Sequence, residues 1–292
     1  MMSHKKVLVL VIVFLSVALI CVLVFGGVQY EKFLRLYKAV MVATNDPKEQ
    51  LVLLPNLEPV PGNTNSLLSH AVYAAQQFAK VPQQPLQLPS ALQLLLYTSD
   101  AGLVLATSPG NLGALYILFR GTLFHHEWKK DFEFQQASSL FGVGRVHRGF
   151  QKMYMKYQPY IWKYLHQLKP TSVFVAGHSL GAALSLLTAV DLAKLGVPVY
   201  ALLLAPPRVG DSDFVAAVEA LPQLQVVQYV NQADLVPLIP LVVMPNAWVP
   251  KLPLYYDHVF KNKINTFYVN NKSWQNNHSL ALHIAYIDNQ TL

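Results

Sequence analysis

The residues best suited to chemistry are Gly177-His178-Ser179-Leu180-Gly181, a G-x-S-x-G pattern. It lies between a short apolar run, Val173 to Ala176, and a run rich in Ala and Leu, Ala182 to Leu195, which Gly196 and Pro198 end. In a strand, turn, helix context the two glycines permit a turn tight enough to hold a serine hydroxyl exposed at the end of a sheet strand. The pattern alone also fits an ordinary turn whose serine caps the helix. A serine hydroxyl is a poor nucleophile at neutral pH. Acyl transfer therefore requires a histidine to take its proton, a carboxylate to fix that histidine's tautomer, and donors aimed at the oxyanion. On a parallel α/β sheet the partners follow the serine in the order carboxylate, then histidine. Asp234 and the C-terminal histidines His278 and His283 can fill that order. As a bland alternative, Asp234 would simply cap a turn.

The surrounding elements must deliver these groups to one place. Ala91 to Tyr97, Leu103 to Thr107 and Gly113 to Phe119 are apolar runs of strand length with short turns between them, which predicts a meander entering a sheet. A helix from Ser66 precedes them, with His70 at its core edge, and an aromatic-rich helix opened by Val146 to Phe150 stops before Pro170. After the serine, strands at Val199 to Leu204 and Gln225 to Val230 alternate with a helix from Asp211 to Leu221. This alternation predicts an α/β fold with a mainly parallel central sheet and helices on both faces. Ligands bind beyond the carboxyl ends of such strands, where Ser179 and Asp234 both fall. Tyr255 to Phe260 and Ile264 to Val269 are expected to form a hairpin, and His278 to Asp288 a last amphipathic helix.

The 292 residues are 53% hydrophobic and 13% charged, which provides a sizeable core and excludes wholesale disorder. Val7 to Val28 carries no charge and is long enough to cross a hydrocarbon layer of about 30 Å. We read residues 1–28 as a short tail and an uncleaved signal anchor, one transmembrane helix, with secretion after cleavage as the alternative. Residues 29–60 follow as a juxtamembrane helix and a Pro-rich linker, and 61–292 as one catalytic-type domain. Lys5 and Lys6 precede the apolar run, while Lys32, Arg35, Lys38 and Lys48 follow it, so basic residues leave both orientations open. Cys21 is the only cysteine, and the domain must stand without disulfides. Sequons at Asn271, Asn277 and Asn289 point faintly to a lumenal side. The net charge of +7 comes from scattered basic residues without a nucleic-acid motif, so it is assigned to anionic membrane surfaces rather than nucleic acid. His125 and His126 are adjacent and lack metal-ligand spacing, so no metal is expected.

Seven groups of residues together resemble the class 3 lipases, the fungal-lipase-like branch of the α/β-hydrolases. They are Phe119-Arg120-Gly121-Thr122, Trp128 with Asp131, Val146-His147-Arg148-Gly149-Phe150, Gly177 to Ala182, Pro207-Arg208-Val209-Gly210, Asn231 with Asp234-Leu235-Val236-Pro237, and Tyr256-Asp257-His258. The resemblance implies Ser179 as nucleophile and Asp234 as acid. Thr122 and the Leu180 N–H would form the oxyanion hole, and Leu123 to Lys130, with Leu123, Phe124 and Trp128, a lid that contacts substrate. His258 falls in a noncatalytic motif of the family. His278 resembles the base of bacterial and plant relatives and is preferred, because a loop-to-helix position can face a serine across the site; His283 resembles the fungal form and is the alternative base. The implied activity is hydrolysis of glycerolipid esters such as triacylglycerol without a cofactor. Phospholipase A1 or mono- and diacylglycerol lipase activity is the alternative, and a catalytically silent lipid-binding protein the remote one. The implied partners are a lipid surface and the anchoring membrane.

Overall fold

The computed structural model describes residues 59–100, 102–109, 111–122, 135–240, 242–244 and 254–290, all within the unit Gln50–Leu292. The expected membrane anchor, almost all of the expected juxtamembrane helix and linker, and the expected lid lie outside the described residues. Among the described residues, no helix is long and apolar enough to cross a membrane.

The chain begins with helix α1 (Thr64–Lys80), whose first N–H groups are capped by the Asn63 side chain at 3.0 and 3.1 Å. Strands β1 (Gln93–Tyr97), β2 (Leu103–Ser108) and β3 (Asn111–Phe119) form the expected antiparallel meander. A small antiparallel pair, β4 (Gln136–Ser138) and β5 (Arg145–His147), leads into α2 (Arg148–Leu168). Strand β6 (Ser172–His178), helix α3 (Leu180–Lys194), strand β7 (Val199–Leu204), helix α4 (Ser212–Glu219) and strand β8 (Leu224–Asn231) then alternate as the sequence predicts. Strands β9 (Val243–Met244), β10 (Leu254–Tyr255) and β11 (Ile264–Phe267) and helices α5 (Trp274–Asn277) and α6 (Leu280–Asn289) complete the domain.

Seven strands form one sheet in the order β1-β2-β3-β6-β7-β8-β11. From β3 through β11 the pairings are parallel. The expected hairpin over 255–269 does not form. Instead, β10 pairs antiparallel with β9, and β11 joins the main sheet parallel to β8. Alternating apolar residues sort the two faces of the sheet. Leu103, Leu105, Leu115, Ile117 and Phe119 pack with α2, α3 and α4. Val104, Ala106, Tyr116 and Leu118 pack with α1 and α6 on the other face. Helix α3 is apolar on nearly every side because α2 covers it in turn, and its Asp191 carboxylate accepts from Tyr154, Gln158 and Trp162 of α2. The helix that begins at the candidate nucleophile is thus locked between the sheet and a second helix.

Candidate functional site

Ser179 sits between the end of β6 and the start of α3, at the carboxyl edge of the parallel strands. Its φ of 59° and ψ of −125° lie where few side-chain-bearing residues settle, at a cost of roughly 1–3 kcal/mol that the surrounding fold must offset. The Ser179 N–H donates to the Leu204 carbonyl at 2.9 Å, tying the turn to β7. The two motif glycines are required by close packing. A Cβ on Gly177 would lie 2.2 Å from the Gly181 carbonyl oxygen, and one on Gly181 would lie 2.4 Å from the Phe119 carbonyl oxygen. The pattern therefore brings the first turn of α3 directly against the end of β3. Ser179 makes no side-chain cap on α3, and its buried Oγ has no hydrogen-bond partner among the described residues. The helix-capping reading of this serine fails on that observation.

Asp234 follows β8 and is 2% exposed. Its Oδ1 accepts from the Val236 N–H at 2.9 Å, and its Oδ2 pairs with His278 Nδ1 at 2.6 Å. Donation from His278 Nδ1–H to a carboxylate leaves Nε2 as the basic nitrogen. His278 lies between α5 and α6, and its side chain is 12% exposed. His283 is fully buried one turn into α6, where Nδ1 donates to the Ser279 carbonyl at 3.0 Å and burial lowers its pKa to about 4. The structure joins Asp234 to His278 and leaves His283 bonded within its own helix.

Gly121 lies against the Ser179 turn, since a Cβ there would be 3.4 Å from the Ser179 Cβ and 3.1 Å from the His178 carbonyl oxygen. This puts the Gly121-Thr122 segment beside the serine, where an oxyanion donor has to be. Arg120 holds that segment: its Nη1 donates to the Gly121 carbonyl at 2.9 Å, and Nε and Nη2 donate to the Asp100 carbonyl at 3.3 and 3.1 Å. Leu180 opens α3, so its N–H, unlike those of Ala182 and Ala183, which donate to the Ser179 carbonyl, has no acceptor within the helix. Leu123, Phe124 and Trp128 lie outside the described residues.

Several supporting residues had no assigned role in the sequence. His178 is buried beside the serine; its Nε2–H donates to the His278 carbonyl at 2.9 Å, and its ring centroid is 4.5 Å from that of His278. Burial, with His278 and His283 nearby, holds its pKa well below the ordinary histidine value. Arg208 reaches the loop after Asp234, donating to the Leu238 carbonyl and, at 2.8 Å, to the Pro240 carbonyl. His258, set aside as noncatalytic, donates from Nε2 to the Pro237 carbonyl at 2.6 Å and so holds the same loop. The motif positions of Arg208 and His258 were visible in the sequence, but their partners are carbonyls, which carry no side-chain signature. Asn277 is 6% exposed with its amide bonded into the domain, bonds that a glycan there would have to displace, whereas Asn271 is exposed. Among the described residues there is no cluster of three His, Cys, Asp or Glu suited to a metal ion.

A serine on a positive-φ strand-to-helix turn, with a His–Asp pair delivered by later loops of the same parallel sheet, defines the class as an α/β-hydrolase-type domain. Within that class, residues 116–244 match the family model for Lipase (class 3). Phospholipase A1-II 4 of Oryza sativa subsp. japonica is 34% identical over 155 residues, covering 42% of this chain and 39% of its own length. Phospholipase A1-IIgamma of Arabidopsis thaliana is 31% identical over 160 residues, covering 43% of this chain and 38% of its own. The chain thus spans well under half the length of these curated relatives. Among solved structures, the native Rhizomucor miehei lipase propeptide complex aligns with a TM-score of 0.53 at 20% identity, covering 78% of this chain and 79% of that one. A triacylglycerol lipase with a serine protease triad aligns at 0.50 and 24% identity, covering 62% and 76%. At such identities these alignments establish a shared lipase-like α/β fold.

Proposed function

We propose that the chain is a serine carboxylic-ester hydrolase that releases fatty acids from glycerolipids through an acyl-enzyme on Ser179. The observation that carries this reading is the 2.6 Å His278–Asp234 pair, on the same sheet edge as a serine whose Oγ has no competing partner. In the proposed cycle Oγ attacks the ester carbonyl while His278 Nε2 takes its proton. The Leu180 N–H and the Thr122 N–H and hydroxyl stabilise the oxyanion. His278 then returns the proton to the departing alcohol, and water repeats the sequence on the acyl-enzyme to release the acid. Asp234 fixes the imidazole tautomer and offsets its charge. No cofactor enters this chemistry.

Triacylglycerol is the substrate we assign first, with Leu123, Phe124 and Trp128 as part of a lid that meets the lipid surface. The plant relatives are named phospholipases A1, which supports phospholipase A1 activity as the second reading. The charge-free run Val7 to Val28 supports a single-pass membrane anchor that keeps the domain at its substrate surface. Fatty-acid release by the full chain in detergent micelles, from triolein emulsions and from phosphatidylcholine vesicles, tests and ranks these readings. Ser179→Ala should lower the rate at least about a thousandfold on whichever lipid is cleaved. Wild-type protein that neither hydrolyses a lipid nor reacts with a fluorophosphonate probe at Ser179 would overturn the enzyme reading in favour of a silent lipid-binding protein.

A further inference from the structure

Asp234 and His278 come from segments 44 residues apart, and no strand pairing joins the two segments directly. Their immediate neighbours are, however, joined by two buried carboxamides. Asn231, the last residue of β8, is fully buried. Its Nδ2 donates to the Val269 carbonyl at 2.8 Å and to the Asn277 carbonyl at 2.9 Å. Its Oδ1 accepts from the Ala233 N–H at 3.3 Å and the Val269 N–H at 3.0 Å. The Asp234 N–H closes back on the Asn231 carbonyl at 2.9 Å. Two donors and two lone pairs are all that a carboxamide possesses, so Asn231 is fully used. Two of its four partners, the Ala233 N–H and the Asn277 carbonyl, belong to the residues directly preceding Asp234 and His278.

Asn277 reciprocates from the other loop. Its Nδ2 donates to the Ala233 carbonyl at 3.3 Å, and its Oδ1 accepts from the Asn271 N–H at 2.7 Å. Ala233 and Asn277 are thereby tied in both directions. Asn231 bonds the N–H of the first and the carbonyl of the second, and the Asn277 side chain bonds the carbonyl of the first. A hydrocarbon side chain of similar volume at either position would leave buried backbone groups unpaired. Asp could not replace Asn231, because it would lose both donations and add a carboxylate beside Asp234.

We propose that Asn231 and Asn277 are positioning residues, a two-amide bracket that sets the relative placement of Asp234 and His278. This rests on the hydrolase reading for its kinetic consequence, but the bracket itself has a readout that needs no turnover. A histidine Nδ1–H held on a buried carboxylate gives a far-downfield proton resonance, whose position and exchange rate report the geometry of that bond. The test compares wild type, Asn231→Ala and Asn277→Ala with Gln151→Ala. Gln151 is a similarly buried amide that bonds the Ser138 carbonyl and the Leu140 N–H away from the site. The expected result is that both asparagine variants lose or broaden the downfield signal and that Gln151→Ala keeps it, with all proteins folded by circular dichroism. With p-nitrophenyl butyrate, the asparagine variants should lose about tenfold to a hundredfold in kcat with KM changed less than about threefold, since small misplacements of catalytic groups act on the transition state. Should Asn231→Ala fail to fold, the milder Asn277→Ala decides. An unchanged downfield signal in a folded Asn277→Ala, or losses no larger than in Gln151→Ala, would overturn the bracket. Inactive wild type with a downfield signal that the asparagine variants abolish would instead sink the hydrolase reading and leave the bracket standing.

Discussion

At the scale of single residues, the decision between two histidines turns on which one the carboxylate reaches. His278 Nδ1 is 2.6 Å from Asp234 Oδ2, while His283 Nδ1 is spent on the Ser279 carbonyl at 3.0 Å. His278→Ala should therefore lower kcat/KM for ester hydrolysis by at least about a thousandfold, the scale of losing a triad member. His283→Asn retains an N–H donor for Ser279 and should stay within about tenfold. Steady-state rates of the two variants side by side check this, and equal losses would contradict the assignment. The sequence preferred His278 for its loop-to-helix position, but order along the chain does not show which of the two rings turns toward Asp234; the 2.6 Å contact does.

At the scale of elements, the Ser179 turn depends on a contact between the first turn of α3 and the end of β3. Alanine is the better helix former by about 1 kcal/mol, so Gly181→Ala in an unconstrained helix would stabilise. Here the added methyl would meet the Phe119 and Arg120 carbonyl oxygens at 2.4 and 2.6 Å, and backbone cannot swing aside as a side chain can. Overpacking of this kind costs roughly 1–3 kcal/mol or more, which outweighs the propensity gain. Gly181→Ala should therefore lower the urea midpoint, and an unchanged or raised midpoint would show that the contact is looser than described. The strand, turn, helix order around Ser179 was legible because its periodicity is local. The fate of Tyr255 to Val269 was not. Two apolar runs near each other in sequence look like a hairpin, but β11 gains more by extending the parallel sheet beside β8, where Phe267 becomes buried.

For the whole molecule, the consequential feature is a set of histidines buried without charge. Burial lowers His147 to about 3 and His283 to about 4 from 6.5, and holds His178 well below its ordinary value. Below pH 6.5 the unfolded chain binds protons at these sites and the folded domain does not. Their contribution is thus fully present above the unfolded pKa and is lost as pH falls towards the folded values. Each buried histidine can add up to about 1.4 kcal/mol of lost stability per pH unit in that window. His147 also has a mechanical role, because its Nδ1 accepts the Phe150 N–H at the start of α2 and cannot do so once protonated. Urea unfolding at pH 7 and pH 5 should show a clear loss at the lower pH, with a shallower slope in His283→Asn. A flat profile would mean that these rings are more hydrated than their burial indicates.

The sequence by itself determined the alternation of strands and helices, the turn at Ser179 and the chain order Ser179, Asp234, then a C-terminal histidine, because each is written in local periodicity or in the position of a side chain. It also supplied the motif around Arg208 and the positions of Asn231 and His258. Only the tertiary structure decided which histidine meets Asp234, that β11 extends the sheet, and that Arg120, His178, Asn231 and Asn277 hold the site. The histidine is decided by which ring packing brings within reach of the Asp234 carboxylate; the β11 pairing and the four supporting side chains share another reason. Their partners are backbone N–H and carbonyl groups, identical at every residue, so which of them a side chain meets is settled only when distant segments pack.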